Sequence, residues 1–169
     1  VRTIGIDPGS ICAGYGVVDG GGGLTLVAGG IMRMSGDLQR RLCNLANNVD
    51  SIIREHEPDL IVVEDVFAGK NPRTALILGQ ARGAVLVAAG ASGRPLLAIA
   101  PASAKKVVAS HGRADKAQMA AAARVWLRNP PSSWATEDHS DAVCLAIAGQ
   151  LMEKSAKVKK ILGAGVGWL

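Results

Sequence analysis

Ile4-Gly5-Ile6-Asp7-Pro8-Gly9 reads as a short apolar strand that ends on an acid and turns sharply at Pro-Gly. On its own the acid needs no more than a turn, because an Asp before Pro-Gly bonds to its own neighbouring backbone. The reading changes once a second stretch of the same kind is found. Leu60-Ile61-Val62-Val63 is an unbroken apolar run, the pattern of a strand buried on both faces of a parallel sheet, and it ends on Glu64. If these strands are parallel neighbours, Asp7 and Glu64 lie at one edge of the sheet. That is the edge where open α/β sheets carry their sites.

Working outward, Ala13-Gly14-Tyr15-Gly16-Val17-Val18 gives a second strand closed by Asp19 and Gly20–Gly23, and residues 24–33 give a third, an antiparallel meander. No Lys-Ser/Thr and no helix start follow the glycines, which makes them a hairpin tip rather than a phosphate loop. Ser35 or Asp37 caps a helix to about Glu57: Leu38, Leu42, Leu45, Val49, Ile52 and Ile53 recur at spacings of three and four, and Pro58 stops it. A second helix covers 73–91, where Gly79 and Gly83 leave one face nearly bare, suited to packing on the sheet or to a dimer seam. Pro95 to Ala100 is the fifth strand. Pro101 opens a helix carrying Lys105 and Lys106, broken at His111-Gly112-Arg113; Asp115 caps another to about Leu127; the last runs from about Thr136 to Met152. The order βββ-α-β-α-β-α-α-α predicts an α/β fold: a mixed five-stranded sheet, antiparallel meander plus parallel strands, with helices on both faces. Residues 1–153 form the domain, and 154–169, basic and then glycine-rich, are expected to be a mobile tail.

The 169 residues fit one domain, and 49% hydrophobic with 3% aromatic residues means a core of Ala, Val, Leu and Ile. The net charge of +5 and pI near 9.4 fit a polyanionic partner without requiring one. No apolar run is expected to span a membrane and no signal peptide is expected, since the chain enters a strand at once. Cys12, Cys43 and Cys144 lack metal-binding spacing and are expected to be reduced core thiols of a cytosolic protein.

The last predicted helix adds Asp138 and Asp141, which at a spacing of three share a face, while Ala142, Leu145, Ala146 and Ala148 supply its buried side. Taken alone, Asp138 is an acid at a helix start, favoured there by the macrodipole. Four carboxylates brought together repel one another, and divalent cations relieve this best. An all-oxygen donor set suits Mg²⁺ or Mn²⁺ rather than zinc, and two such ions serve phosphodiester cleavage. Glu137 and His139 are reserves for the third acid position; Glu137 shares the face of Asp141, whereas His139 points away from it. Trp126 and Trp134 flank a Pro-Pro loop as packing residues.

These residues resemble the RuvC family of bacterial Holliday junction resolvases, within the ribonuclease H-like superfamily. The resemblance is carried by Gly5-Ile6-Asp7-Pro8-Gly9-Ser10 with Gly14-Tyr15-Gly16, and by Glu64-Asp65-Val66-Phe67 with Lys70-Asn71. Ala75-Leu76 follows, then Leu78-Gly79-Gln80-Ala81-Arg82-Gly83, Gly112 with Ala114-Asp115-Lys116, and Asp138 with Asp141-Ala142. It covers residues 1 to about 152, and the Leu-Gly-Gln-Ala-Arg-Gly run is its most specific part. It implies that Asp7, Glu64, Asp138 and Asp141 are the metal-binding catalytic acids of an enzyme that nicks two opposing strands of a four-way junction. Family members vary at the third position, some carrying His; here Asp138 stands there with His139 directly after it.

The resemblance further implies that Lys105 and Lys116 lie near the scissile phosphate, and that Phe67 contacts junction bases. It also implies a homodimer through the second helix, cooperation with the RuvA–RuvB branch-migration machinery, and a cytoplasmic location. From the residues themselves, Lys105, Lys106 and Lys116 fit solvated helix positions as well as phosphate contacts. Lys70 and Arg73 fit phosphate contacts, and Arg82 fits either that or the dimer seam. Phe67, in a polar loop, suits base stacking or a wedge. Three rival readings stand beside this one. A YqgF-type nuclease leaves the Leu78–Gly83 run unexplained. A sugar-kinase or actin-like ATPase needs a second domain that 169 residues cannot hold. A branched-DNA binding module that does not cut would have no use for four acids.

Overall fold

Strand β1 (Arg2–Asp7) is the middle of a five-stranded sheet. It bonds antiparallel to β2 (Cys12–Asp19) on one side and parallel to β4 (Leu60–Glu64) on the other. β3 (Thr25–Arg33) continues the meander beside β2, and β5 (Leu96–Ile99) lies parallel to β4, giving the order β3-β2-β1-β4-β5. The computed structural model describes residues 1–65 and 71–153. Helices α1 (Leu38–His56), α2 (Pro72–Ala91), α3 (Pro101–Ala109), α4 (Lys116–Trp126) and α5 (Glu137–Glu153) complete the element order that the sequence predicts. The expected tail from residue 154, with Phe67 and Lys70, lies outside the described residues.

The alternation of side chains along the strands divides the core in two. Ile4, Ile6, Val17, Ile61 and Val63 face α1 and α2, burying Leu45, Val49, Ile53, Ala81 and Val85. Val18, Leu60, Val62 and Ile99 face the other way, onto α3, α4 and α5. Burying each such Val, Leu or Ile contributes about 1.5–3 kcal/mol. Local chemistry fixes the helix starts. Asp37, rather than Ser35, accepts the Arg40 N–H at 2.8 Å; Asn71 accepts from Arg73 and Thr74 with Pro72 following; Asp115 forms a capping box with Gln118. Such caps contribute about 1 kcal/mol each. At the β2–β3 tip Gly23 has φ 141°, a conformation only glycine adopts without strain, so the glycine run is a turn.

Three expectations need correction. α5 has no solvated side: every residue from His139 to Gln150 except Asp141 is buried. It lies directly on β1 and β2, so its pattern is that of a core helix rather than an amphipathic one. α2 is long and apolar enough, by length and composition, to cross a membrane. Here its Ala81, Val85, Ala88 and Ala89 are packed in the sheet core and Arg82 is bound to the end of β4. Of the three cysteines only Cys144 is a core thiol; Cys43 is exposed and Cys12 is half-buried.

Candidate active site

Register places the first two acids. Ile6 stands beside Val63 in the parallel β1–β4 ladder, so the next residues, Asp7 and Glu64, end their strands at one level. The second pair arrives on α5, and glycines decide how close that helix comes. Gly5, Gly16 and Gly29 are partners across β1, β2 and β3, forming a row without side chains. A Cβ at Gly5 would run into the Ala142 carbonyl and come within 2.5 Å of Ala146 N; one at Gly16 would stand 2.5 Å from Val143 Cγ2. A Cβ at Gly14, the strand partner of Asp7, would collide with the Asp138 carbonyl. The first turn of α5 is thus laid on the strand next to Asp7. This glycine row is the signal that the reading of the acids alone passes over.

The electrostatics report the crowding. Asp7 is pushed up to about 8 by burial first, then by the charges of Glu64, Asp141 and Asp138. Glu64 is raised by burial and by Asp141, against the opposing pull of Lys105 and Lys116. Asp141 is raised by burial, with Lys116 lowering it and Asp138 raising it. Four carboxylates from three separate elements therefore converge on one edge of the sheet, and burial with mutual repulsion raises Asp7, Glu64 and Asp141. Two clefts meet there. One of ≈ 470 Å³ is lined by Asp7, Cys12, Glu64, Asp65, Leu78 and Asp138; the other, ≈ 200 Å³, includes Glu64, Lys105, Lys116, Met119 and Asp141.

Lys116, at the start of α4, holds Glu137 Oε2 at 2.7 Å and lies 3.7 Å from Asp141 Oδ2. Glu137 is thus occupied as a partner of Lys116 at the rim. His139 is buried over Gly29, edge-on to Trp134, and its Nδ1 accepts the Ala135 N–H at 3.3 Å. It faces away from the acids, as its helical position predicts, and only Asp138 of the three lines the cleft with Asp7. Lys105 lines the smaller cleft, while Lys106 and Arg73 are exposed and line neither. Trp134 packs in the core under Arg124, whereas Trp126 is 41% exposed and fixed by its Nε1–H to the Val108 carbonyl. Cys12 sits beside Asp138, and burial together with that carboxylate raises its thiol.

The donor set fits hard divalent cations: four carboxylates, with His139 turned away and the nearby thiol held protonated. Among the described residues no three His, Cys, Asp or Glu side chains stand close enough to hold an ion as placed.

The profile described as "Crossover junction endodeoxyribonuclease RuvC" matches residues 3–149, which include all four acids and the glycine row. The chain belongs to the RuvC family. A RuvC of Halorhodospira halophila is 41% identical over 148 residues, 86% of this chain and 87% of that one. A RuvC of Nitratidesulfovibrio vulgaris is 46% identical over 121 residues, covering 70% and 73%. Among solved structures, the T. thermophilus RuvC in complex with Holliday junction substrate superposes with a TM-score of 0.82 at 29% identity, over 90% of this chain and 94% of that one. The RuvC match separates the chain from the YqgF-type and kinase-like readings of its opening motif, and the sheet is the ribonuclease H-like one expected.

Proposed function

We propose that this RuvC-family chain resolves four-way DNA junctions by nicking two opposing strands, with Asp7, Glu64, Asp138 and Asp141 as the catalytic acids. The observation that carries the reading is the convergence of these carboxylates, from β1, β4 and α5, at one edge of the sheet. Two Mg²⁺ ions, replaceable by Mn²⁺, would be held by the four acids and would supply an activated water and charge stabilisation at the leaving oxygen. The chain's own contribution is placement. The half-buried Asp7 and Glu64 keep the cluster partly shielded from solvent, where charge interactions are strong. Lys105 and Lys116 bring positive charge to the rim, where a phosphate backbone would arrive, and Lys116 is oriented by Glu137. Phe67, Lys70, Arg73 and Lys106 are proposed to extend the DNA contact, on the strength of the family resemblance.

Cutting two opposing strands needs two sites, and the outer face of α2 supports a homodimer. Leu76 and Val87 are 64% and 70% exposed there, and nothing lies within 4 Å of a Cβ built on Gly79 or Gly83. Family membership supports cooperation with RuvA and RuvB and action on cytoplasmic DNA. The test is a nicking assay on labelled four-way and linear DNA, with and without Mg²⁺. Wild type is expected to cut the four-way substrate in symmetric pairs and only with the ion. Asp7→Asn is expected to abolish cutting while junction binding stays largely intact, because binding rests on phosphate contacts. Cutting by that variant at the wild-type rate would refute the site.

A further inference from the structure

Arg82, which its charge offers as a phosphate contact or a dimer-seam residue, is engaged within its own chain. It lies on α2 one turn beyond Leu78, which lines the larger cleft, and its guanidinium crosses to the end of β4. There Nε donates to the Glu64 carbonyl at 3.3 Å and Nη2 stands 3.1 Å from Asp65 Oδ1, with the side chain only 23% exposed. Glu64 needs such a hold. The β1–β4 ladder ends at Ile6 and Val63 and the β4–β5 ladder at Glu64 and Ile99, where the Asp65 N–H bonds the Ile99 carbonyl at 2.9 Å; Glu64 thus stands at the last rung of the sheet, and Pro8, lacking an N–H, cannot extend the β1 side to its carbonyl. Asp65 needs one as well. It lines the same cleft as Asp7, Glu64 and Asp138, and is a fifth carboxylate within reach of a cluster that already repels itself.

We propose that Arg82 is the positioning residue for Glu64, and that the same fork holds Asp65 out of the metal-binding set. A guanidinium has the planar, multi-donor geometry to bind a carbonyl and a carboxylate at once. Fixing the last peptide of β4 fixes the direction of the Glu64 carboxylate. Pairing Asp65 leaves the four remaining acids as the donors. The inference rests on the reading of Glu64 as a metal-holding acid.

The experiment compares wild type, Arg82→Ala, Arg82→Lys and Glu64→Gln as full-length proteins. Three quantities are read: Mn²⁺ binding to the DNA-free protein by calorimetry, kcat and its Mg²⁺ half-saturation on a four-way junction, and junction affinity without divalent ions. Loss of a residue that orients a metal ligand typically lowers metal affinity or activity by about 10- to 100-fold. Arg82→Ala is expected to weaken Mn²⁺ binding and raise the Mg²⁺ half-saturation within that range, with junction affinity unchanged. Arg82→Lys keeps the charge but cannot span both acceptors, so it is expected to fall between wild type and Arg82→Ala. Unchanged Mn²⁺ binding in Arg82→Ala beside an inactive Glu64→Gln overturns the positioning role, and an active Glu64→Gln overturns the reading of the site beneath it. Junction affinity lost in step with cutting would make Arg82 a phosphate contact and also overturn the proposal. If Arg82→Ala does not fold, Arg82→Lys decides, and wild-type metal binding in it is the refuting result.

Discussion

Asp7 governs how the site responds to pH. Its ordinary value of 3.8 applies in the unfolded chain, against about 8 in the folded, metal-free protein. Between those values the folded state holds a proton that the unfolded state has lost, so stability falls as pH rises through the window. The melting temperature of metal-free protein is therefore expected to decline from pH 5 to pH 8, and to decline less in Asp7→Asn. Thermal melts of both proteins across pH would check this, and parallel profiles would rule it out. A cation competes with the same proton, so Mg²⁺ should stabilise the protein more at pH 8 than at pH 5, with proton release on binding. At this scale the sequence was informative for the acids, whose type and strand-end position follow from the hydrophobic pattern. It misplaced Cys12 in the core and gave Asp65 no role, because nothing in their local pattern says which side chains will face them.

The element that sets the geometry is α5, and what lets it approach is the absence of side chains beneath it. Gly5→Ala places a methyl against the backbone of Ala142 and Ala146, neither of which can rotate away. Overpacking usually costs about 1–3 kcal/mol. The variant is expected to lose about that much stability in denaturant titrations and to cut junctions more slowly even when folded, since lifting α5 carries Asp138 and Asp141 away from Asp7. Wild-type stability and rate together would show that α5 does not depend on this contact. The helices and strands themselves were legible to within a residue or two, because caps such as Asp37, Asn71 and Asp115 and stops such as Pro58 act locally. The all-round burial of α5 was not. Acid spacing and small residues read as one buried side, and only the bare strip under the helix explains why both sides are covered.

For the whole molecule, the open stripe on α2 is an apolar face left exposed among the described residues of a single chain. Val87→Glu would put a charge on it while leaving the sheet-facing Ala81, Val85 and Ala88 untouched. By sedimentation wild type is expected to be dimeric and the variant monomeric, leaving singly nicked junctions rather than paired cuts. A dimeric variant that still makes paired cuts would place the seam elsewhere. The sequence by itself determined the element order and the two strands that end on an acid; their parallel pairing was a condition that the sheet then met. The order and the strand ends follow from periodicity, capping and turn chemistry, all set within a few residues. Only the tertiary structure decided which other polar neighbours join the site: Glu137 taken by Lys116, Arg82 bound to Glu64 and Asp65. Those choices depend on how closely α5 and α2 pack on the sheet, and that distance is fixed by contacts between residues far apart in the chain.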